Sequence, residues 1–377
     1  KMKKKIIIVL AIVVLLTVGF FVFRNSKITS QLTEKSSLLS KKTVLTYAVH
    51  WTNKDQVEDI YENGILKSKG LKHYLDEYTK LNPNIEFKVQ TINYNEYANT
   101  LRVLSDSDMA PDIYQIYSNW GVSYVKDGLL ATPPEDVISD VKTNYISTAG
   151  VTINGQIWGI PTEINNFVLL YNKDLFKAAG LVDKNGNVVA PKTWNELVSY
   201  ASKLTKKDSK GNITQYGIAF NNEDWQVVDP FLSLLYSNGG KYLSSDLSKS
   251  LFNSVEGVQA LEAELQLFKK GATDTNGNFY DFGKGTVGMV IAPPWTKAGF
   301  KSNFGTNFEK VVGVAPIPYL KTPASTGYSW FMGVMEKSKN KEESWKFLRW
   351  LTEEIQTETG TTRYGDLLAN SIGSIPA

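Results

Sequence analysis

The chain has 377 residues, 42% of them hydrophobic and 21% charged, which is globular composition long enough for two domains with their own cores and not that of a disordered or fibrous protein. Formal charge is +3, but six basic residues (Lys1, Lys3, Lys4, Lys5, Arg24 and Lys27) sit in a leader without acids, so the rest carries 35 basic against 38 acidic side chains. A near-neutral body argues against nucleic acid as a partner, and the absence of cysteine excludes both a disulfide framework and a thiol for lipid attachment.

In chain order, Lys3-Lys4-Lys5 precede an apolar run from Ile6 to Phe23 that is interrupted only by Thr17 and Gly19. Residues 1–24 therefore read as a signal peptide or a membrane anchor. The run exceeds the usual signal core, just reaches spanning length and is followed by no small-x-small cleavage site, which favours an uncleaved anchor. In either case the lysines stay in the cytoplasm and everything after Arg24 lies outside. Residues 25–42, polar and rich in Ser and Lys, fit a linker.

Alternation of strands and helices begins at Thr43 and predicts an α/β fold with a largely parallel sheet. A strand over 43–49 is followed by a helix whose Leu71, Tyr74, Leu75, Tyr78 and Leu81 share one face, and then by a strand with Ile85, Phe87 and Val89 alternating. Thr193 and Glu196 form a capping box that starts a helix running through Leu204. Asn253 or Ser254 caps another helix, with Val258, Leu261, Leu265 and Phe268 as its apolar face, and residues 344–351 make a third. Asn185-Gly186 and Asn276-Gly277 mark turns. Between the last two helices, "VGMVIAPPW" (287–295) reads as a buried strand stopped by two prolines, which then present Trp295.

Catalytic and metal signatures are nearly empty. His50 and His73 are the only histidines, so a histidine-rich metal site is impossible and a Ser-His-Asp triad has two candidates at most. No G-x-S-x-G occurs. The run Gly277 to Lys284 fails as a P-loop, having five intervening residues and Gly285 where Ser or Thr belongs. Asp274, Asn276 and Asn278 imitate the start of a calcium loop, but Phe279 replaces its glycine and the bidentate Glu is missing. No cofactor is implied. Aromatic residues are abundant instead, with 9 Trp, 19 Tyr and 17 Phe, and such rings stack on the C–H faces of sugars while amides and carboxylates take the hydroxyls.

The segments "APDIY" (110–114), "NGQIWGIP" (154–161), "LLYNKDLFKAAGL" (169–181), "PKTWNELVSYASKL" (191–204), "YGIAF" (216–220), "SNGGKYL" (237–243), "FGKGTVGMVIAPPW" (282–295), "VGVAPIP" (312–318) and "SKNKEESWKFLRWL" (338–351), in this order, resemble the extracellular solute-binding proteins of ABC importers, within the maltose-binding-protein-like family. The resemblance covers about residues 43–377. It implies a two-lobed periplasmic-binding-protein fold of type II, with lobe 1 over 43–164, lobe 2 over 165–326 and a return to lobe 1 over 327–377. Relatives continue beyond the element matched by Gly373-Ser374-Ile375-Pro376, so the C-terminal part of lobe 2 is expected to be missing.

The same resemblance implies no enzymatic activity. It implies an oligosaccharide held in the interlobe cleft, hinge closure, delivery to ABC importer permease subunits, and attachment to the cytoplasmic membrane through the N-terminal helix. By position in the family, Trp51, Asn119, Trp120, Glu163, Asn165, Trp225, Trp295, Tyr328 and Trp330 are the expected ligand contacts, with Trp295 foremost. Trp194, Trp345 and Trp350 are left to packing. Two other readings stand beside this one. The first is a membrane-anchored glycoside hydrolase or lyase pairing Asp112 with Glu163 or Asp224. The second is a receptor for a non-sugar solute.

Overall fold

The computed structural model describes residues 42–220, 224–244, 248–373 and 376–377, so the expected N-terminal helix lies outside the described residues. Among the described residues no helix is long and apolar enough to cross a membrane.

The strand Thr43–Val49 pairs in parallel with Ile85–Thr91, register Thr43 opposite Ile85, and with Ile113–Tyr117 on its other side. Helix Leu71–Leu81 bridges the first two strands and buries Leu71, Tyr74, Leu75 and Tyr78 against them, as its 3.6-residue period requires. Leu81 departs from that reading: it stands 63% exposed on the last turn, where the Asn82 amide closes on the Tyr78 carbonyl and the chain swings away. Gly327–Val334 and Ile160–Asn166, both antiparallel to their neighbours, complete this first sheet in the order 85–91, 43–49, 113–117, 327–334, 160–166.

A second five-stranded sheet runs in the order 206–207, 213–218, 287–292, 168–172, 312–315. Its central strand Val287–Ala292 is buried at every residue, because helices cover both faces. One cover is helix Trp194–Leu204, opened by the Thr193/Glu196 capping box, with the Glu196 amide donating to Thr193 Oγ1 at 3.3 Å and the Thr193 amide donating to Glu196 Oε2 at 3.1 Å. Gly217 lets that helix approach, since a Cβ there would stand 1.9 Å from the Ala201 carbonyl oxygen.

Helix Val255–Lys269, capped by Ser254, reverses the sequence expectation. It turns Gly257, Ala260, Glu264 and Leu267 inward, while Val258, Leu261, Leu265 and Phe268 are 49, 48, 40 and 38% exposed. The small side chains Gly257 and Ala260 permit close packing on its inner face, and burial there pushes the Glu264 carboxyl up to about 7.

The chain passes between the sheets twice. Strand Ile160–Asn166 belongs to the first and Val168–Asn172 to the second, and the chain returns at Gly327. The two passages are tied together: the Phe167 amide donates to the Thr326 carbonyl at 3.1 Å and the Ser325 hydroxyl donates to the Phe167 carbonyl at 2.7 Å. The Thr326 amide also donates to Ser233 Oγ at 3.0 Å, anchoring the passage to helix Asp224–Ser237.

Candidate functional site

In the first sheet the carboxyl ends of three parallel strands leave side by side, which is where open α/β sheets build ligand crevices. Each end contributes an aromatic side chain: His50 directly after Thr43–Val49, Tyr94 at the start of the helix after Ile85–Thr91, and Tyr117 with Trp120 where Ile113–Tyr117 runs into helix Ser118–Lys126. The antiparallel strand Gly327–Val334 adds Tyr328 and Trp330 on one face.

These rings form a basket centred on Trp330. His50 lies flat on Trp330, centroids 4.0 Å apart and planes at 14°. Tyr117 and Trp120 approach it at 5.3 and 5.4 Å, and Tyr94 at 6.2 Å. Tyr328 stands against Tyr117 at 5.7 Å and against Phe167 of the crossover at 6.1 Å, linking the basket to the passage between the sheets. Tyr94 is 47% exposed, and Tyr117, Trp120 and Tyr328 are half-buried, so the basket keeps an open aromatic surface.

A carboxylate from the second sheet's side of the molecule lies within electrostatic reach of this surface. Asp229, on helix Asp224–Ser237, is half-buried, and burial pushes its carboxyl up to about 6, with a Thr326 hydrogen bond opposing the shift. Burial raises the phenols of Tyr94, Tyr117 and Tyr328, and the Asp229 charge raises each further. Because the folded protein holds the Asp229 proton more tightly than the unfolded chain, the ionised carboxylate costs stability. That cost is absent below the ordinary value of 3.8, grows between 3.8 and about 6, and is constant above. Asp229→Asn is expected to raise the thermal midpoint at pH 7 by about 1 kcal/mol equivalent, a figure discounted for the group's partial exposure. The gain should vanish on titration to pH 4. Melting curves across that range check it, and a gain independent of pH would remove Asp229 from this account.

The expected ligand residues separate into three groups. Trp120, Tyr328 and Trp330 are brought together in the basket, and Asn119 is exposed beside Trp120 on the first helical turn. Glu163 and Asn165 oppose Trp330 and Tyr328 in the strand register and stand beside them, 3 and 0% exposed, with Asn165 Nδ2 donating to Glu163 Oε2 at 2.7 Å. In this conformation they support the rings and present no surface to a ligand. Trp51 is likewise 2% exposed, its ring stacked on Tyr364, and it backs His50 edge-on at 5.9 Å. The side chain of Trp225 lies outside the described residues. Trp295 is 37% exposed and starts helix Thr296–Phe304 on the second lobe, with Gly373 of the returning segment packed on its backbone.

His50, Tyr94, Tyr117 and Asp229 are the additions that sequence reasoning missed. The first three carry a readable signal, since each stands at or just after the crevice end of a parallel strand. Asp229 sits inside a helix, and only the approach of the two lobes reveals it.

The alternative catalytic pair does not assemble. Asp112 begins the strand at its far end, where its carboxylate accepts from the Thr46 amide at 2.8 Å, the Ser338 hydroxyl at 2.6 Å and Asn340 Nδ2 at 3.2 Å. Tyr117 and Glu163 both oppose Trp330, so Asp112 stands five residues, roughly 16 Å, from the Glu163 level, against the ~5–9.5 Å that hydrolysis uses. Asp112 is a structural pin. The side chain of Asp224 lies outside the described residues.

Comparison with known proteins gives consistent results. A profile of the family described as bacterial extracellular solute-binding protein matches residues 64–358. The maltooligosaccharide ABC transporter solute-binding lipoprotein of Streptococcus pneumoniae is 26% identical over 335 residues, spanning 83% of this chain and 73% of that protein. The GacH receptor of Streptomyces glaucescens, solved unliganded and with acarbose, superposes with a TM-score of 0.69 at 20% identity, covering 89% of this chain and 80% of the other. The sugar-binding protein MalE of Xanthomonas citri gives a TM-score of 0.68 at 19% identity over 89% and 79%.

Proposed function

Because this chain belongs to the bacterial extracellular solute-binding protein family, we propose that it captures an oligosaccharide between its two lobes outside the cytoplasmic membrane and delivers it to the permease of an ABC importer. In this reading lobe 1 comprises 43–164 with the return over 327–377, and lobe 2 comprises 165–326. The leader anchors the chain to the outer side of the membrane. The observation that carries the proposal is the open aromatic basket of lobe 1 facing the Asp229 carboxylate of lobe 2. Rings take the C–H faces of a sugar, the carboxylate and amides take its hydroxyls, and engagement of both lobes favours the closed state.

The relatives named for maltooligosaccharides and for sugar binding support a saccharide ligand, and no residue arrangement described here favours a non-sugar solute or turnover. Titration of the intrinsic tryptophan fluorescence with maltotriose, cyclic and linear α-glucans, xylo- and manno-oligosaccharides tests the proposal. Saturable binding to none of these, or release of shortened products on long incubation, would overturn it.

Trp295 completes the site from lobe 2 in this reading, since the Pro293-Pro294 pair ends the strand and leaves the ring partly open. Trp295→Ala is expected to weaken sugar binding at least tenfold, about 1.4 kcal/mol, with the thermal midpoint nearly unchanged because the ring is not in a core. Unchanged affinity in the same fluorescence titration would withdraw the assignment.

A further inference from the structure

We propose that His50 is a fixed hydrogen-bond acceptor in the cleft, offering a bare Nε2 lone pair to a ligand hydroxyl and so selecting a neutral, donor-rich polyol over a sugar acid or sugar phosphate. The inference rests on the oligosaccharide-receptor reading and identifies the residue that sets the ligand's chemical class.

The argument starts at Gln115, which is 1% exposed. Its side-chain oxygen accepts from the His50 backbone amide at 3.2 Å and meets His50 Nδ1 at 2.9 Å, while its Nε2 donates to the Tyr364 hydroxyl at 2.9 Å. The backbone N–H of His50 can only donate, so the group facing it must be the amide oxygen and the Gln115 orientation is determined. An amide oxygen can only accept, so Nδ1 carries the imidazole proton and Nε2 does not.

Three further observations hold that state in place. Stacking on Trp330 at 4.0 Å and 14° fixes the plane in which Nε2 points. Burial among aromatic rings lowers the imidazole pKa from 6.5 to about 3, against the Gln115 hydrogen bond, so the ring is neutral across the physiological range. Nε2 has no hydrogen bond to any described residue and is not among the sealed unsatisfied atoms, and the residue is partly exposed. The titratable groups around the ring are Tyr94, Tyr97 and Tyr117, with Asp229 facing the basket from the other lobe. The tyrosine phenols are all raised and stay neutral, so none supplies a charge that would protonate His50. His50 and Asp229 then both present acceptors, which hydroxyls satisfy and which carboxylates or phosphates repel.

Two measurements on the full chain test this. Nitrogen-15 NMR of the free protein should show His50 as the Nδ1–H tautomer with no titration down to pH 5. An Nε2–H tautomer, or titration near the ordinary value of 6.5, overturns the proposal whether or not any sugar binds. In the maltotriose titration, His50→Phe, which keeps the stack and removes the acceptor, should lose about tenfold in affinity with the thermal midpoint retained, and His50→Gln, which restores an amide oxygen, should recover most of it. A wild type that binds maltotriose while His50→Phe binds equally well overturns this assignment alone. A wild type that binds none of the oligosaccharides brings down the receptor reading and this proposal with it.

Discussion

Trp330→Ala should abolish measurable oligosaccharide binding, a loss of at least about 100-fold or 2.7 kcal/mol, and should also destabilise the protein by about 3–5 kcal/mol. The ring is 5% exposed and has His50 flat on one side and Tyr117 and Trp120 against it, so its removal opens a void beneath the basket instead of trimming its rim. Both effects therefore arise from one substitution. Far-UV circular dichroism identifies the temperature range in which the variant remains folded, and fluorescence titration within that range reads the affinity. Affinity within threefold of wild type would mean that the basket is not the sugar platform. The contrast with Trp295→Ala is diagnostic, because the exposed ring of lobe 2 should cost binding without stability.

Gly217→Ala is expected to cost about 3 kcal/mol, lowering the midpoint by about 6–10 °C, although it adds one methyl group far from the basket. The new Cβ would overlap the Ala201 carbonyl oxygen at 1.9 Å, and that atom belongs to the backbone of helix Trp194–Leu204, which cannot yield by a rotamer change. The strand also depends on this approach, since the Gly217 amide donates to Thr205 Oγ1 at 3.1 Å just past the helix end. Differential scanning calorimetry checks it: a midpoint within 2 °C of wild type would mean that the helix and strand separate without penalty.

Local patterns in this chain were legible wherever one rule governed them. The βαβ unit from Thr43 to Thr91 follows from alternating and 3.6-residue periods, and the Thr193/Glu196 capping box from four residues of sequence. Helix Val255–Lys269 departs from the hydrophobic period, because Gly257 and Ala260 pack on its inner face and the apolar row faces out. The expected ligand contacts show the same division. Trp120, Tyr328 and Trp330 come together in one cluster of rings. Trp51 does not, because the residue just before it, His50, takes the outward place while Trp51 turns onto Tyr364. Asp229 had no local signal at all, since Thr326 and the tyrosines of the first sheet are brought to it only by the fold.

The hydrogen bond from Phe167 to Thr326 has a mechanical consequence. Two separate strands crossing a gap can twist, shear and splay independently, but two strands pinned amide to carbonyl behave as a single ribbon. Ser233 clamps one end of that ribbon to helix Asp224–Ser237, and the strand pairing of Gly327 with Asn166 clamps the other. Bending is then concentrated in the few dihedrals between the clamps, where the two passages must move together.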